Sequence, residues 1–368
     1  MDYDMYDAFY EDYEDGGEES YPDFFVEWDA AVRAGQSPGY YEPEELAEII
    51  EIYFSQDELK KARQAIEHAL KLYANDKDLR EQIFRALTEY EQWNDVLKLY
   101  ERLKIFDVWI DGHKLIALLH LGMEEAAFHF FAELKNQYAD NHEDLNIAYQ
   151  AMGEALIETD LFKSAVEVIN EAIGIMGENI DFLWLLLNAY TLMEKKEEAV
   201  QCADKIQKMN PLDAGTWCRL GITFEELDDM DRAIDAYENA RSLQPDSANL
   251  MMTLITAYEA HGNYNKALEK ASEFLHMQPD NFRAYIILAQ IYSDLENWDE
   301  ALLHINKALD IIPGIYLLYL YKSSILQRLK ETDKAKLTLQ EGIEKTGDPK
   351  GHLAVELTKL NEQNPDTH

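Results

Sequence analysis

The sequence predicts an all-α chain built by stacking one repeated unit, and three observations carry that prediction. Punctuation is sparse, with 9 prolines and 16 glycines in 368 residues, which suits long helices joined by short turns and opposes a many-stranded β protein. Hydrophobic residues make up 47% of the chain and aromatic residues 11%, enough for an extended core. A pattern of aromatic, aliphatic and small residues also recurs at a step of 34 over most of the length.

Residues 1–22 form an acidic, tyrosine-rich tail of a different kind from the rest. The first 43 residues hold 13 acidic side chains against the single Arg33. Tyr3, Tyr6, Tyr10 and Tyr13 are spaced to share one helical face. Two readings stay open for residues 1–20. Few aliphatics and dense like charge predict a disordered, solvating tail; the tyrosine stripe predicts a docking helix, for a partner or for the protein's own groove. Residues 23–42 read as a cap helix and linker, with Phe24, Trp28 and Ala31 on one stripe between Asp23 and Gly35. Ser37-Pro38-Gly39 then breaks the chain.

The array is predicted over residues 43–349. Its clearest unit begins at Ala214 and carries Trp217, Leu220, Gly221, Phe224, Ala233, Tyr237, Ala240 and Pro245. One step forward stand Leu254, Tyr258, Ala267, Phe274 and Pro279, and a second step gives Tyr285, Leu288, Ala289, Tyr292, Ala301, Ala308 and Pro313. Stepping back gives Leu183, Leu186, Tyr190, Ala199 and Pro211, then Tyr149, Met152, Gly153, Leu156, Ala165 and Ala172. Leu46, Ile49, Tyr53, Ala62, Ile66 and Ala69 occupy the same offsets near the start. This order of residues resembles the signature of the tetratricopeptide-repeat family at its expected offsets. The resemblance implies a right-handed α-solenoid of about nine helical hairpins with capping helices at its ends.

In such a unit the small residues sit where two antiparallel helices cross, bulky ones fill the space between hairpins, and the proline ends the second helix. One hairpin cannot bury its faces alone, so the array is stable only as a stack. Two units fit less well. Residues 77–111 have helical periodicity but lack the small residue for close crossing, and residues 112–145 suggest a shortened first helix before Gly122. The unit from Tyr316 departs from the signature at Gly342 and Gly347. Residues 350–368 read as a polar capping helix and tail, with Leu353, Leu357 and Leu360 facing inward.

Charge and chemistry narrow the function. A formal net charge of −39 opposes binding to phosphate backbones and to anionic membrane surfaces, so neither nucleic acid nor membrane is an expected partner. Basic or apolar protein segments are the partners that such a field tolerates. No basic residue precedes Arg33, which fits neither a secretory leader nor a transit peptide, and no apolar run is long enough to span a bilayer. A cytoplasmic location is expected. Cys202 and Cys218 build no disulfide framework and no metal pattern. His113 and His120 are placed to share a helix face, but no nucleophile elbow, phosphate-cradling glycine loop or His-Glu-x-x-His helix accompanies the histidines. No catalytic residue, cofactor or metal is therefore predicted.

The family resemblance implies a groove lined by the first helix of each hairpin. Carried over position by position, its candidates here are Gln150, Glu154, Trp184, Asn188, Arg219, Glu225, Thr256, Glu259, Arg283, Gln290, Tyr321 and Arg328. Some members of the family hold acidic chaperone tails in a clamp of lysine and asparagine. The matching places here carry Gln150 and Glu154, Trp184 and Asn188, and Cys218 and Ile222, so the basic members are missing and that ligand is not expected. Arg219, Arg283 and Arg328 are cations in a predicted groove of an acidic protein; they either pair with nearby carboxylates or receive an acidic aromatic segment such as the protein's own tail. The resemblance implies a non-catalytic scaffold or adaptor for protein or peptide partners, of a bacterial type. A ligand-gated regulator and an accessory subunit of an enzyme remain alternatives.

Overall fold

The structure, a computed structural model, describes residues 21–104, 107–347 and 351–363. The expectations for residues 1–20, disorder or docking, lie outside them. The described residues form helices and connecting turns without strands. A first helix, α1 (Asp23–Arg33), precedes nine hairpins. These pair α2 (Pro43–Ser55) with α3 (Leu59–Leu72), α4 (Lys77–Glu89) with α5 (Trp93–Leu103), and α6 (Val108–His120) with α7 (Glu124–Gln137). Then come α8 (His142–Glu158) with α9 (Phe162–Met176), α10 (Ile180–Leu192) with α11 (Lys196–Met209), and α12 (Ala214–Glu226) with α13 (Met230–Leu243). The last three pair α14 (Ala248–Ala260) with α15 (Tyr264–Met277), α16 (Phe282–Asp294) with α17 (Trp298–Ile311), and α18 (Tyr316–Arg328) with α19 (Thr332–Thr346). A final helix, α20 (His352–Gln363), follows. The chain divides into two compact units, one ending at Met209 and one running on from Asn210. The fold class is an all-α repeat solenoid.

The helices begin and end for local reasons that repeat along the chain. Asn179, Asp213, Ser247 and Asn281, each 34 residues from the next, accept hydrogen bonds from the third backbone N–H of the first helix that follows. Such caps satisfy donors that the helix leaves open and contribute about 1 kcal/mol each. Between the helices of every hairpin one residue adopts the left-handed conformation: Asp57, Glu91, Gly122, Asp160, Glu194, Asp228, Gly262, Glu296 and Lys330. This residue and the one after it donate backwards to the carbonyls of the first helix, as Asp228 does to Glu225 and Asp229 to Phe224. The left-handed residue and its two bonds close the helix end and turn the chain back. Glycine fills only two of these nine places, so the turn is set by tertiary packing more than by local preference.

Small residues then allow the helices to meet. Ala62, Ala165, Ala199, Ala233, Ala267, Ala301 and Ala335 are each fully buried in a second helix. At Gly221 a Cβ would lie 2.6 Å from Cδ1 of the buried Tyr237, so only glycine fits under that ring. Gly342, which departs from the signature in sequence, plays the same part in reverse: a Cβ there would lie 2.7 Å from Tyr319 Cγ. Aromatic residues at the start of first helices also hold the connection that precedes each helix. Trp217 Nε1 donates to the Pro211 carbonyl at 2.9 Å, Tyr285 Oη to Pro279 at 3.0 Å and Tyr319 Oη to Pro313 at 3.0 Å. Successive second helices are bridged by ion pairs, among them Arg63–Asp95 and Arg102–Glu67 at 2.6 Å and Lys135–Glu171 and Arg241–Glu273 at 2.8 Å. Exposed pairs of this kind contribute about 0.2–1 kcal/mol each.

The second and third hairpins correct the sequence reading. A boundary at residues 111/112 falls inside α6, which starts at Val108 after the Asp107 side chain accepts from Trp109 N at 3.1 Å. The first helix of that hairpin is therefore full-length rather than shortened. Phe84 and Leu115 occupy the places that Gly153, Gly221, Ala289 and Ser323 hold in other first helices. In this hairpin α6 packs more closely across α8 than against its own partner α7. Gly112 permits this, since a Cβ there would lie 3.1 Å from Ala151 Cβ. A polar knot pins the same region: Asp111, only 1% exposed, accepts from Tyr100 Oη at 2.6 Å and Tyr138 Oη at 2.7 Å.

Both ends of the array are covered. In α1, Phe25 and Trp28 are buried against the first hairpin, and the buried Asp29 carboxylate accepts from Tyr53 Oη at 2.9 Å and Lys61 Nζ at 3.2 Å. In α20, Leu353 and Leu360 are buried on the last hairpin, with Leu357 partly buried beside them.

Candidate functional site

The candidate groove residues all lie on first helices of hairpins. In the N-terminal unit, α8 carries Gln150 and Glu154 and α10 carries Trp184 and Asn188. Gln150 Nε2 donates to Asp181 Oδ2 at 3.2 Å, which joins the two helices across their exposed sides. Glu154 reaches solvent, yet enough protein surrounds it to raise its carboxyl, and the charges of Glu158 and Asp181 add to the rise. Trp184 is half-buried and Asn188 exposed.

In the C-terminal unit, α12, α14, α16 and α18 carry the remaining eight. Glu259 on α14 is half-buried, and burial followed by the nearby Asp294 charge pushes its carboxyl up to about 8. Asp294, the last residue of α16, is likewise raised by burial. Tyr321 on α18 is buried and donates to Ser293 Oγ at 2.9 Å. Burial holds its phenol high, and the charges of Asp294 and Glu259 hold it higher. Three consecutive first helices thus bring Glu259, Ser293, Asp294 and Tyr321 together. Glu225 on α12 is also raised, by burial and then by Glu226, against a hydrogen bond from Tyr237.

The other candidates are arranged differently. The Thr256 hydroxyl bonds within its own helix, to the Thr253 carbonyl at 2.9 Å. Gln290 is half-buried. Arg283 stands in the first turn of α16, with its guanidinium 5.8 Å from the Phe282 ring centre. Arg328 ends α18 and lies 5.6 Å from the Trp298 ring centre. Arg219 is exposed in the middle of α12. The three arginines therefore occupy the start, the middle and the end of their helices, and helices of 13 residues are about 20 Å long. They do not gather at one level as a single anion site.

Ser293, Asp294 and Asp181 are the participants that position-by-position reasoning missed. The available signal was an acidic residue at the end of α16, one position past the place a full repeat beyond the acidic Glu259. The catalytic alternatives gain no support from geometry. His113 bonds to Thr88 Oγ1 at 2.9 Å and burial pushes it down to about 4, whereas His120 stacks on Trp93 at 4.2 Å and faces Glu158. Burial pushes the Cys202 thiol up to about 11, where little reactive thiolate forms. Among the described residues no three His, Cys, Asp or Glu side chains are grouped to hold a metal ion. No helix among them is long and apolar enough to cross a membrane.

These features define a helical-repeat protein whose first helices carry the polar surface and whose second helices tie the stack. A family described as "Psidin, N-terminal TPR repeats region" matches residues 186–289, and one described as "Tetratricopeptide repeat" matches residues 282–314. Residues 186–314 therefore carry tetratricopeptide repeats. Among curated proteins nothing matches. Among solved structures, the MamA protein is 20% identical with a TM-score of 0.38, over 46% of this chain and 93% of its own. A tetratricopeptide repeat protein from Parabacteroides merdae is 17% identical with a TM-score of 0.40, over 68% of this chain and 99% of its own. YrrB, described as having an unusual peptide-binding site, is 20% identical with a TM-score of 0.39, over 51% of this chain and 97% of its own.

Proposed function

We propose that the chain is an interaction scaffold that holds polypeptide segments along the first-helix faces of its hairpins, with basic side chains as the main contacts. Glu259 supports this reading most directly. Its carboxyl is half-buried beside Asp294 and has no ion pair among the described residues. A carboxylate held away from water without a cation is costly, and a lysine or arginine from a partner relieves it. One hairpin earlier Glu225 is also raised by burial, although it is more exposed and accepts a hydrogen bond from Tyr237. Apolar segments fit beside Glu225, where Ile222 on the same helix is 47% exposed. The reading includes a cytoplasmic location in a cell of bacterial type.

Selection of random peptides on the intact chain tests the proposal. Enriched sequences should place lysine or arginine next to aliphatic or aromatic residues, and their affinity should fall with added salt, because exposed charges are screened. Their affinity should also fall in Glu259→Gln. Enrichment of acidic peptides, or of none, overturns the reading.

A further inference from the structure

The second and third hairpins are closed less tightly than the others, and the third opens onto a cleft. Because α6 presses onto α8 at Gly112, α7 is held by one face only, through Ala127, Phe130, Phe131 and Leu134. Between α6 and α7 runs an open cleft of 770 Å³. Its floor is apolar, formed by Leu118, Met123 and Phe130, with Met123 45% exposed to water. Its rim carries Glu124 and Glu125, with Glu133 beside His129, whose Nδ1 lies 3.3 Å from Glu133 Oε1. Glu124 and Glu125 make no ion pair among the described residues. Lys114, the lysine of the lining, is already engaged. Its Nζ lies 4.1 Å and 4.0 Å from the centres of the Tyr100 and Phe130 rings and 3.4 Å from Glu101 Oε1.

We propose that this cleft is a second docking site, which takes a polypeptide segment presenting one aliphatic or aromatic side chain flanked by lysine or arginine. The apolar floor accepts the anchor, as pockets for single buried side chains do at interfaces. Charge complementarity selects its neighbours, since the rim carboxylates lie in the field of a chain with net charge −39. An acidic anchor segment would meet the unpaired Glu124 and Glu125, with Lys114 and His129 already engaged. The site is separate from the first-helix faces, because it is walled by both helices of one hairpin.

The test uses the intact chain and two fluorescein-labelled peptides, one alternating lysine with leucine and one alternating lysine with serine, read by fluorescence anisotropy at physiological salt. The leucine peptide should bind about fivefold tighter or better, and Ala126→Arg, which places charge and bulk in the cleft, should weaken it about tenfold. Ala132→Arg puts the same charge on the same helix outside the cleft and should change binding less than about twofold. Met123→Ser, a milder change at an exposed position, should weaken the leucine peptide about threefold without altering helix content. Equal loss in the two arginine variants, or loss in neither, overturns the proposal, as does equal binding of the two peptides. A peptide lost in Glu259→Gln but kept in Ala126→Arg sits on the first-helix faces; that result overturns the cleft and leaves the scaffold reading standing.

Discussion

Replacing Glu259 with glutamine should stabilise the protein at high pH and do nothing at low pH. In the folded chain, burial and then the Asp294 charge raise this carboxyl from 4.5 to about 8. Between those values the folded state holds a proton that the unfolded state has released. Stability of the native chain therefore falls as pH rises through this window and levels off above about pH 8. Fully expressed, such a displacement corresponds to about 5 kcal/mol at 1.36 kcal/mol per unit. The side chain is only half-buried, and water contact reduces the expected effect to about 2 kcal/mol. Glutamine is neutral at every pH and nearly the same shape, so Glu259→Gln should match the native chain at pH 4.5 and exceed it by that amount at pH 8.5. Urea unfolding at both values measures the difference, and amide exchange within α14 locates it, which matters in a stack that need not unfold as one unit. Asp294→Asn should remove part of the same gain. An advantage of Glu259→Gln that is equal at both pH values would refute the assignment of an uncompensated carboxyl.

His113 should give the opposite pH dependence. Burial, then the charge of Arg85, pushes it down to about 4, so its contribution is complete above pH 6.5 and is lost as pH falls from 6.5 to 4. His113→Gln should flatten that decline by about 1–3 kcal/mol, and an unchanged acid limb in urea midpoints would contradict it. Gly221→Ala should destabilise by about 1–3 kcal/mol despite the better helix propensity of alanine. Its Cβ would meet the Tyr237 ring, which is 1% exposed and has no room to swing. Pairing it with Tyr237→Leu should restore part of the loss in the same unfolding assay.

Much of the fold is legible along the chain because its determinants are local or repeat at a fixed step. Trp217, Gly221, Ala233 and Pro245 each mark a helix, a crossing or a stop. The same residue types 34 positions on mark the next, so period alone places most hairpins. The reading slipped where that locality fails. Val108-Trp109-Ile110 begins α6 with no proline before it, and the close approach at Gly112 is made to Ala151 on another hairpin, which no local pattern announces. Gly342 looks like a lapse until Tyr319 is seen lying over it. The candidate site was legible only as helix faces. That Glu259 is raised, and that Asp294 and Ser293 join it, depends on three helices brought side by side from three hairpins.

The left-handed turn residues keep a step of 34 except around the third hairpin, where the intervals from Glu91 to Gly122 to Asp160 become 31 and 38. Their sum is one residue more than two regular steps, and the 17-residue α8 absorbs the excess. In a one-dimensional stack such a slip acts like a dislocation in a crystal. The phase is lost over one unit and regained beyond it. Within the N-terminal unit, α1 covers the first hairpin and suppresses fraying there, which leaves local opening of α7 as an expected low-cost motion of that unit.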